Sequence, residues 1–154
     1  MWAEEFLGGL SLPLSIVAVR LAGAALLSGL IGLEREATDH AAGLRTNMVI
    51  GLGAAVFALI TLEMVELFAG RPDVIRMDPI RLVEAATAGV AFLAAGMIVL
   101  TRGRVKNLTT GAMMWLAAAI GVAVGLGLWP IALLAVGIGL LVARLLHWMT
   151  DRIG

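Results

Sequence analysis

Four ionisable residues lie inside long apolar stretches of the sequence: Arg20, Glu63, Glu66 and Glu84. Charged side chains in such surroundings can hold a cation, relay a proton or form a buried ion pair. The sequence carries no nucleophile with a base and an orienting group, no phosphate-binding loop and no metal-ligand motif. It has no cysteine, and its two histidines, His40 and His147, are far apart. We therefore predict no catalytic residue, no metal site and no cofactor.

A second polar set borders the apolar stretches. It consists of Glu34, Arg35 and Glu36, then Arg45, Thr46 and Asn47, then the basic run from Arg102 to Lys106 with Asn107, Thr109 and Thr110 after it. Asn or Thr at a helix start can cap free backbone N–H groups, and the helix dipole there attracts an anion. Two interpretations stay open: a ligand site, or helix caps combined with the charges that orient a membrane protein.

The composition is that of a membrane protein. Hydrophobic residues make up 61% of the chain and charged residues 14%, against roughly 45 to 50% and about 25% in soluble domains. The 11 basic and 11 acidic residues cancel, so the net charge gives no reason to expect a nucleic-acid partner. The lipid bilayer is the expected surrounding.

A helix of about 20 apolar residues crosses the hydrocarbon core. We predict an all-α bundle in which residues 1–154 form one transmembrane domain, with spans at about 13–33, 46–68, 80–100, 108–128 and 129–147. Pro130 suits the first turn of the fifth helix. Gly125, Gly127 and Pro130 together indicate a turn rather than one very long helix.

The positions of Lys and Arg predict the orientation, because cytoplasmic loops retain basic residues. If the N-terminus is outside, the inward segments hold Arg35, Arg45, Arg102, Arg104, Lys106, Arg144 and Arg152. The outward segments then hold only Arg71, Arg76 and Arg81. This bias predicts an N-out, C-in protein with five spans.

Small residues recur along the first and fourth predicted helices. They are Ala18, Ala22, Ala25, Gly29 and Gly32 in the first, and Gly111, Ala118, Gly121 and Gly125 in the fourth. Small residues let helix backbones approach closely in lipid. We predict tight packing within the chain or between copies in a homo-oligomer, and the sequence does not distinguish the two.

In this topology Arg20 lies about 10 Å below the outer edge of the bilayer, and Glu63 and Glu84 about 6 to 8 Å below it. All three are expected to meet in the outer half of the bundle. One interpretation is a polar cavity that binds a cation or proton; the other is an ion pair of Arg20 with Glu84 or Glu63 that fixes the helix order. Glu66 is expected to reach the interface.

Several segments, in order, resemble the MgtC/SapB family of membrane proteins. They are Gly32-Leu-Glu-Arg-Glu36, Ala42-Gly-Leu-Arg-Thr-Asn47, Gly53-Ala-Ala-Val-Phe57, Asp78-Pro-Ile-Arg81, the run Gly89 to Gly96, Leu108-Thr-Thr-Gly-Ala, Trp115, Ala119-Ile-Gly121 and Gly125-Leu-Gly127. The resemblance covers nearly the whole chain. It implies five spans, an N-out orientation and a bacterial inner membrane.

The resemblance also implies a function. Members of the family are associated with growth under magnesium limitation and survival inside host cells, and the best-known one is described as restraining the membrane ATP synthase. The chain departs from the family at Ala91 and Ala94, where Gly is frequent, so the third helix is expected to pack less closely. It also ends soon after the fifth span, whereas virulence-associated members continue into a soluble domain.

Three functions remain open at this point. The first is a non-enzymatic protein that modulates ion homeostasis, or a membrane ATPase or transporter, through contacts within the bilayer. The second is a small channel or carrier for a cation, proton or small solute, built around Arg20, Glu63 and Glu84. The third is a lipid-interacting or structural oligomer.

Overall fold

Five α-helices make up most of the protein in the computed structural model, which describes residues 9–37, 41–69, 78, 80–101 and 104–153. They are α1 (Leu14–Ala37), α2 (Leu44–Phe68), α3 (Ile80–Met97), α4 (Leu108–Gly125) and α5 (Trp129–Ile153). The first four are long and apolar enough to cross a membrane, and α5 contains a shorter apolar stretch, Trp129–Leu145. The predicted all-α, multi-pass architecture is confirmed. Which end of the bundle faces the cytoplasm stays a prediction.

The connection between α3 and α4 corrects the sequence prediction. α3 ends at Met97 instead of continuing to residue 100. The chain then forms β1 (Val99–Thr101) and β2 (Arg104–Lys106), which pair antiparallel. These strands are rich in β-branched residues, which favour extended backbone. A short hairpin therefore replaces the last turn of the predicted helix.

Hydrogen bonds between helix termini define the two ends of the bundle. The C-terminus of α1 is bonded to the N-terminus of α4 through Arg35 and Thr110, and Ser11, just before α1, is bonded to Glu63 near the end of α2. We call the first the Arg35 end and the second the Glu63 end. The Arg35 end also receives the C-terminus of α3, because Asn107 binds the carbonyl oxygen of Met97.

Helix α4 lies at the centre of the bundle and contacts each of the other four helices. Most of its buried residues are small, including Gly111, Ala117, Ala118, Gly121, Ala123 and Gly125. Small residues let helices approach closely, and such packing provides much of the attraction between helices in lipid. The predicted row of small residues on the fourth helix is therefore used inside the chain.

Helices α2 and α4 approach so closely that only glycine fits at their crossing. A Cβ atom added at Gly121 would overlap the carbonyl oxygen of Gly51 and lie 2.8 Å from its Cα atom. On the other side of Gly51 lies Ser28 of α1, whose hydroxyl donates a hydrogen bond of 3.0 Å to the Ala117 carbonyl oxygen. Contacts among α1, α2 and α4 thus close the middle of the bundle.

The joint between α4 and α5 is the reversal that the glycines and proline predict. Gly127 has a φ of 80°, a left-handed conformation that favours glycine. The Gly127 N–H donates to the Val124 carbonyl oxygen at 2.9 Å, and the Leu128 N–H donates to that of Ala123 at 2.8 Å. These two bonds form a Schellman motif, which ends α4, and Pro130 lies in the first turn of α5.

Large apolar side chains cover the outside of all five helices. Phe92 of α3 is 80% exposed and Leu141 of α5 is 66% exposed. Such a surface would be unfavourable in water and suits contact with lipid tails. Helix α3 has few buried residues, namely Ala86, Val90 and Ala94, in line with the looser third helix expected from the sequence.

Candidate functional site

The Arg35 end buries a charged side chain between two helices. Arg35 lies in the last turn of α1 and is only 5% exposed. Its Nη2 atom donates a hydrogen bond of 3.2 Å to the hydroxyl oxygen of Thr110, which is buried at the start of α4. A guanidinium removed from water needs such partners, since a hydrogen bond to a charged group contributes about 1.5 to 3 kcal/mol. The two residues therefore tie α1 to α4.

Asn47 is fully buried on the first turn of α2, where it packs against Gly32 of α1. Its Nδ2 atom donates to the carbonyl oxygens of Ala42 at 3.1 Å and Gly43 at 2.9 Å, which fixes the segment that leads into the helix. Among the described residues, no donor reaches its Oδ1 atom, which is also buried. An unmatched buried acceptor costs about 1 to 3 kcal/mol, so this atom is a place where a water molecule or another donor would bind favourably.

The two glutamates of the first motif have different surroundings. Glu36 is exposed, and its Oε2 atom accepts a hydrogen bond of 2.8 Å from the Leu44 N–H. It thereby satisfies a free N–H at the start of α2, where Gly43 has no side chain to do so. Glu34 is half-buried next to Arg35, and its Oε2 atom is buried. The motif thus combines one helix cap with one carboxylate close to the buried guanidinium.

The other predicted members of this cluster lie on its outside. Their side chains are exposed: Arg45, Thr46, Lys106 and Thr109. Arg102 lies outside the described residues, as does the side chain of Arg104. The cluster at the Arg35 end is therefore a buried set, Arg35, Asn47 and Thr110, with exposed charges around it.

Asn107 does not cap α4 through its side chain, contrary to the sequence prediction. It precedes α4 with a φ of 64° and forms no side-chain cap bond. Its Nδ2 atom instead donates a hydrogen bond of 3.0 Å to the carbonyl oxygen of Met97. That carbonyl is one of the unpaired groups at the end of α3, so Asn107 fastens the C-terminus of α3 to the start of α4.

The structure does not bring Arg20, Glu63 and Glu84 together. The Nη1 atom of Arg20 donates a hydrogen bond of 2.8 Å to the carbonyl oxygen of Gly125, the last residue of α4. This places a positive charge at the negative end of the helix dipole. The expected ion pair of Arg20 with either glutamate is wrong for the described structure, because the partner of Arg20 is a helix terminus.

The two glutamates have separate surroundings. The carboxylate of Glu63 accepts bonds from the Ser11 N–H at 2.8 Å and the Ser11 hydroxyl at 2.9 Å, which anchor the segment before α1. Glu84 is exposed on α3, and Glu66 is exposed on α2. A function for Arg20, Glu63 or Glu84 stays a prediction.

Asp78 and Arg81 lie at the Glu63 end, away from the buried residues of the Arg35 end. The Asp78 Oδ1 atom accepts a hydrogen bond of 3.0 Å from the Ile80 N–H and so caps the start of α3. Arg81 is exposed and lines a cavity of about 400 Å³ with Phe57, Thr61 and Ala85, among others. The family motifs therefore occupy both ends of the bundle.

Sequence reasoning missed two residues that fasten α4. Ser28 was not singled out, although a hydroxyl within an apolar run next to small residues is a recognisable signal of an interhelical bond. The tertiary role of Asn107 had no such signal, because Asn before a helix indicates a cap. Among the described residues, no three His, Cys, Asp or Glu side chains lie close enough to hold a metal ion.

The chain was compared with known proteins, and no solved structure gives a significant match. It is 34% identical over 139 residues to "Putative magnesium transporter YhiD" of Escherichia coli, covering 88% of this chain and 62% of that protein. It is 40% identical over 116 residues to Protein MgtC of Brucella abortus, covering 75% of this chain and 45% of that protein. For Protein MgtC of Salmonella typhimurium the identity is 38% over 135 residues, covering 88% and 54%.

The chain thus spans about half to three-fifths of the length of these relatives. The profile of the MgtC family matches residues 21–152, from the second turn of α1 to the last turn of α5. That range includes both the buried set at the Arg35 end and the Asp78 and Arg81 motif. This chain belongs to the MgtC family.

Proposed function

We propose that the protein is a non-enzymatic component of a bacterial inner membrane that modulates magnesium-related ion homeostasis. It acts on a membrane ATPase or transporter by contacts within the bilayer. In this proposal the Arg35 end faces the cytoplasm, as the distribution of Lys and Arg predicts. The three relatives described above are bacterial proteins, two named Protein MgtC and one named "Putative magnesium transporter YhiD".

The observation that supports this proposal is the closed middle of the bundle. Where α1, α2 and α4 meet, the buried residues are Ala24, Gly51, Ala55, Ile120 and Gly121, and the Ser28 hydroxyl is already bonded to a carbonyl oxygen. A conduction path for ions needs polar or water-filled positions at this depth. Packing of this kind suits a rigid body that presents its outer faces to a partner.

The buried and half-buried polar side chains also support a rigid bundle. Arg20 and Asn107 hold helix termini, and Arg35 with Thr110 holds two helices together. These side chains stabilise a fixed arrangement of helices. What remains for a partner is the large apolar outer surface, which includes Leu26 of α1 and Leu134 of α5, both more than 60% exposed.

ATP-driven proton pumping in inverted membrane vesicles tests the proposal. Vesicles from cells that produce the chain should pump more slowly than vesicles without it, at equal amounts of ATP synthase. Leu134→Trp on the outside of α5 and Leu26→Trp on the outside of α1 form a matched pair, and the variant that disturbs the partner contact should restore pumping while the other does not. Equal pumping with and without the chain, together with unchanged magnesium-dependent growth, would exclude this function.

A carrier for a cation, proton or small solute is the second candidate. The name of the Escherichia coli relative and the unmatched Oδ1 atom of Asn47 favour it. Proteoliposomes that contain only this chain separate the two functions, with Mg²⁺ and pH indicators inside. If Mg²⁺ or proton flux depends on the chain and is lost in Asn47→Ala, the carrier is the better proposal. If the proteoliposomes show no flux, the result supports the modulator.

A further inference from the structure

A groove runs between α2 and α3 on the outside of the bundle. Its middle part is a cavity of about 420 Å³ lined by apolar residues, including Val49, Gly53, Gly89 and Leu93. Towards the Glu63 end it adjoins the cavity of about 400 Å³ that Arg81 lines. The two cavities share Phe57 and Ala85. We call this continuous feature the α2–α3 groove.

Two glycines keep the groove open. A Cβ atom added at Gly53 on α2 or at Gly89 on α3 would meet no other atom within 4 Å. Larger residues would therefore fit at both positions and would fill the space. An apolar groove of this size that faces a bilayer does not stay empty, because the surrounding hydrocarbon gains van der Waals contacts by entering it.

The length of the groove matches one leaflet. Arg81 and Leu93 lie about 18 Å apart along α3 at a rise of 1.5 Å per residue. Half of the hydrocarbon core of a bilayer is about 15 Å. The groove therefore reaches from the membrane surface to about the middle of the bilayer, which is the depth that one acyl chain occupies.

The mouth of the groove carries an exposed guanidinium group. Arg81 is exposed there, and within the described part of the chain no side chain bonds to its guanidinium group. Asp78 is also at the mouth, but its Oδ1 atom accepts a bond from the Ile80 N–H at the start of α3. The N-terminus of α3 adds the positive end of a helix dipole. An arginine at this position is suited to bind a phosphate group.

We propose that the α2–α3 groove is a binding site for one phospholipid with an anionic head group. One acyl chain lies along the apolar wall past Gly53 and Gly89, and the phosphate contacts Arg81. The bound lipid fills the groove beside α3. It packs against the face of α3 that no other helix of the described chain contacts. This site is independent of the partner contact proposed above.

Native mass spectrometry of the full chain in detergent tests the site, with phosphatidylglycerol as the probe. The unaltered chain should retain one lipid preferentially at low phosphatidylglycerol concentration. Gly89→Leu should abolish this binding, because the new side chain occupies the groove. Gly137→Leu is the matched control, since Gly137 on α5 also has no atom within 4 Å of an added Cβ and lies outside the groove.

The head group is tested by charge. Arg81→Gln should weaken phosphatidylglycerol binding about fivefold, the effect of roughly 1 kcal/mol per basic residue near a membrane surface. Arg45→Gln, at an exposed position of the Arg35 end, should leave it unchanged. Phosphatidylcholine should bind to the unaltered chain more weakly than phosphatidylglycerol does. The chain with Arg81→Gln should bind the two lipids equally.

Equal lipid retention in Gly89→Leu and Gly137→Leu would overturn the proposal. Gly53→Leu, on the opposite wall, gives the same test if Gly89→Leu fails to fold. If Gly89→Leu instead converts a dimer into a monomer without a change in bound lipid, the groove holds a second copy of the chain, and the lipid site is wrong.

Discussion

Helices α3 and α4 have the same length of 18 residues, and both are apolar enough to span a membrane, yet they differ in how much of each is buried within the bundle. In α4, 56% of the residues are buried within the chain, against 17% in α3. In a soluble protein, apolar character would favour burial of both helices. In a bilayer, lipid solvates apolar side chains as well as another helix does. Hydropathy therefore shows which segments lie in the membrane and leaves open which of them lies in the centre.

What separates the two helices is where their glycines face. In α4, Gly121 and Gly125 lie against the backbone of α2, so that an added Cβ would come within 3 Å of it. In α3, Gly89 and Gly96 face open space. The same residue type thus closes a contact in one helix and opens a groove in the other. Steric fit between backbones places α4 at the centre.

Replacing one glycine in each helix by alanine should give the largest contrast. Gly121→Ala should lower the free energy of unfolding by about 3 kcal/mol, because the new methyl group meets the Gly51 backbone, which has no room to move. Gly89→Ala should leave it unchanged or raise it by up to about 1 kcal/mol through better helix propensity. Thermal unfolding of both variants in the same detergent measures the difference.

The comparison would fail if the two variants unfolded at the same temperature. It would then follow that α2 and α4 can separate slightly without cost, and that close backbone contact does not determine which helix is central.

The second contrast concerns two adjacent threonines at the start of α4. Thr110→Val should cost about 2 kcal/mol, because it removes a hydrogen-bond acceptor from the buried Arg35 guanidinium. Thr109→Val, at the exposed neighbouring position, should change stability by less than about 0.5 kcal/mol. Denaturant titration in mixed micelles compares them. Equal effects would mean that Arg35 does not need Thr110 to hold α1 against α4.

The sequence predicts the five helices, because apolar blocks and the turn residues Gly125, Gly127 and Pro130 are local signals, but it misses the hairpin after Met97. It also identifies the polar residues of the Arg35 end, which include the buried set Arg35, Asn47 and Thr110. It does not predict that Arg20 binds the end of α4 or that Asn107 holds α3, since both depend on which helix termini come together in three dimensions. Nor does it distinguish the glycines of α3 from those of α4, because facing another backbone or facing lipid is a property of the assembled bundle.

The third prediction tests how α3 is held. Asn107→Gly should cost about 1 kcal/mol by removing the bond to the Met97 carbonyl oxygen, while glycine still accepts the φ of 64°. Asn107→Ala should cost about 1 kcal/mol more, because alanine disfavours the left-handed conformation. Hydrogen exchange should show faster exchange near the end of α3 in both variants and little change in α2. Equal exchange in α2 and α3 would indicate that the bundle opens as one unit.

The smallest effect is expected where a hydrogen bond, rather than close packing, joins α4 to its neighbour. Ser28→Ala removes the bond from the Ser28 hydroxyl to the Ala117 carbonyl oxygen. This carbonyl lies in the middle of α4, so its backbone hydrogen bond within the helix remains. Interhelical bonds of this kind contribute on average about 0.6 kcal/mol in a membrane, so the free energy of unfolding should fall by about that amount. Ser15→Ala, at an exposed position on the same helix, is the control and should have no effect. A loss in Ser28→Ala as large as that in Gly121→Ala would mean that polar bonds hold the centre of the bundle; a much smaller loss assigns that role to the contact between the Gly51 and Gly121 backbones.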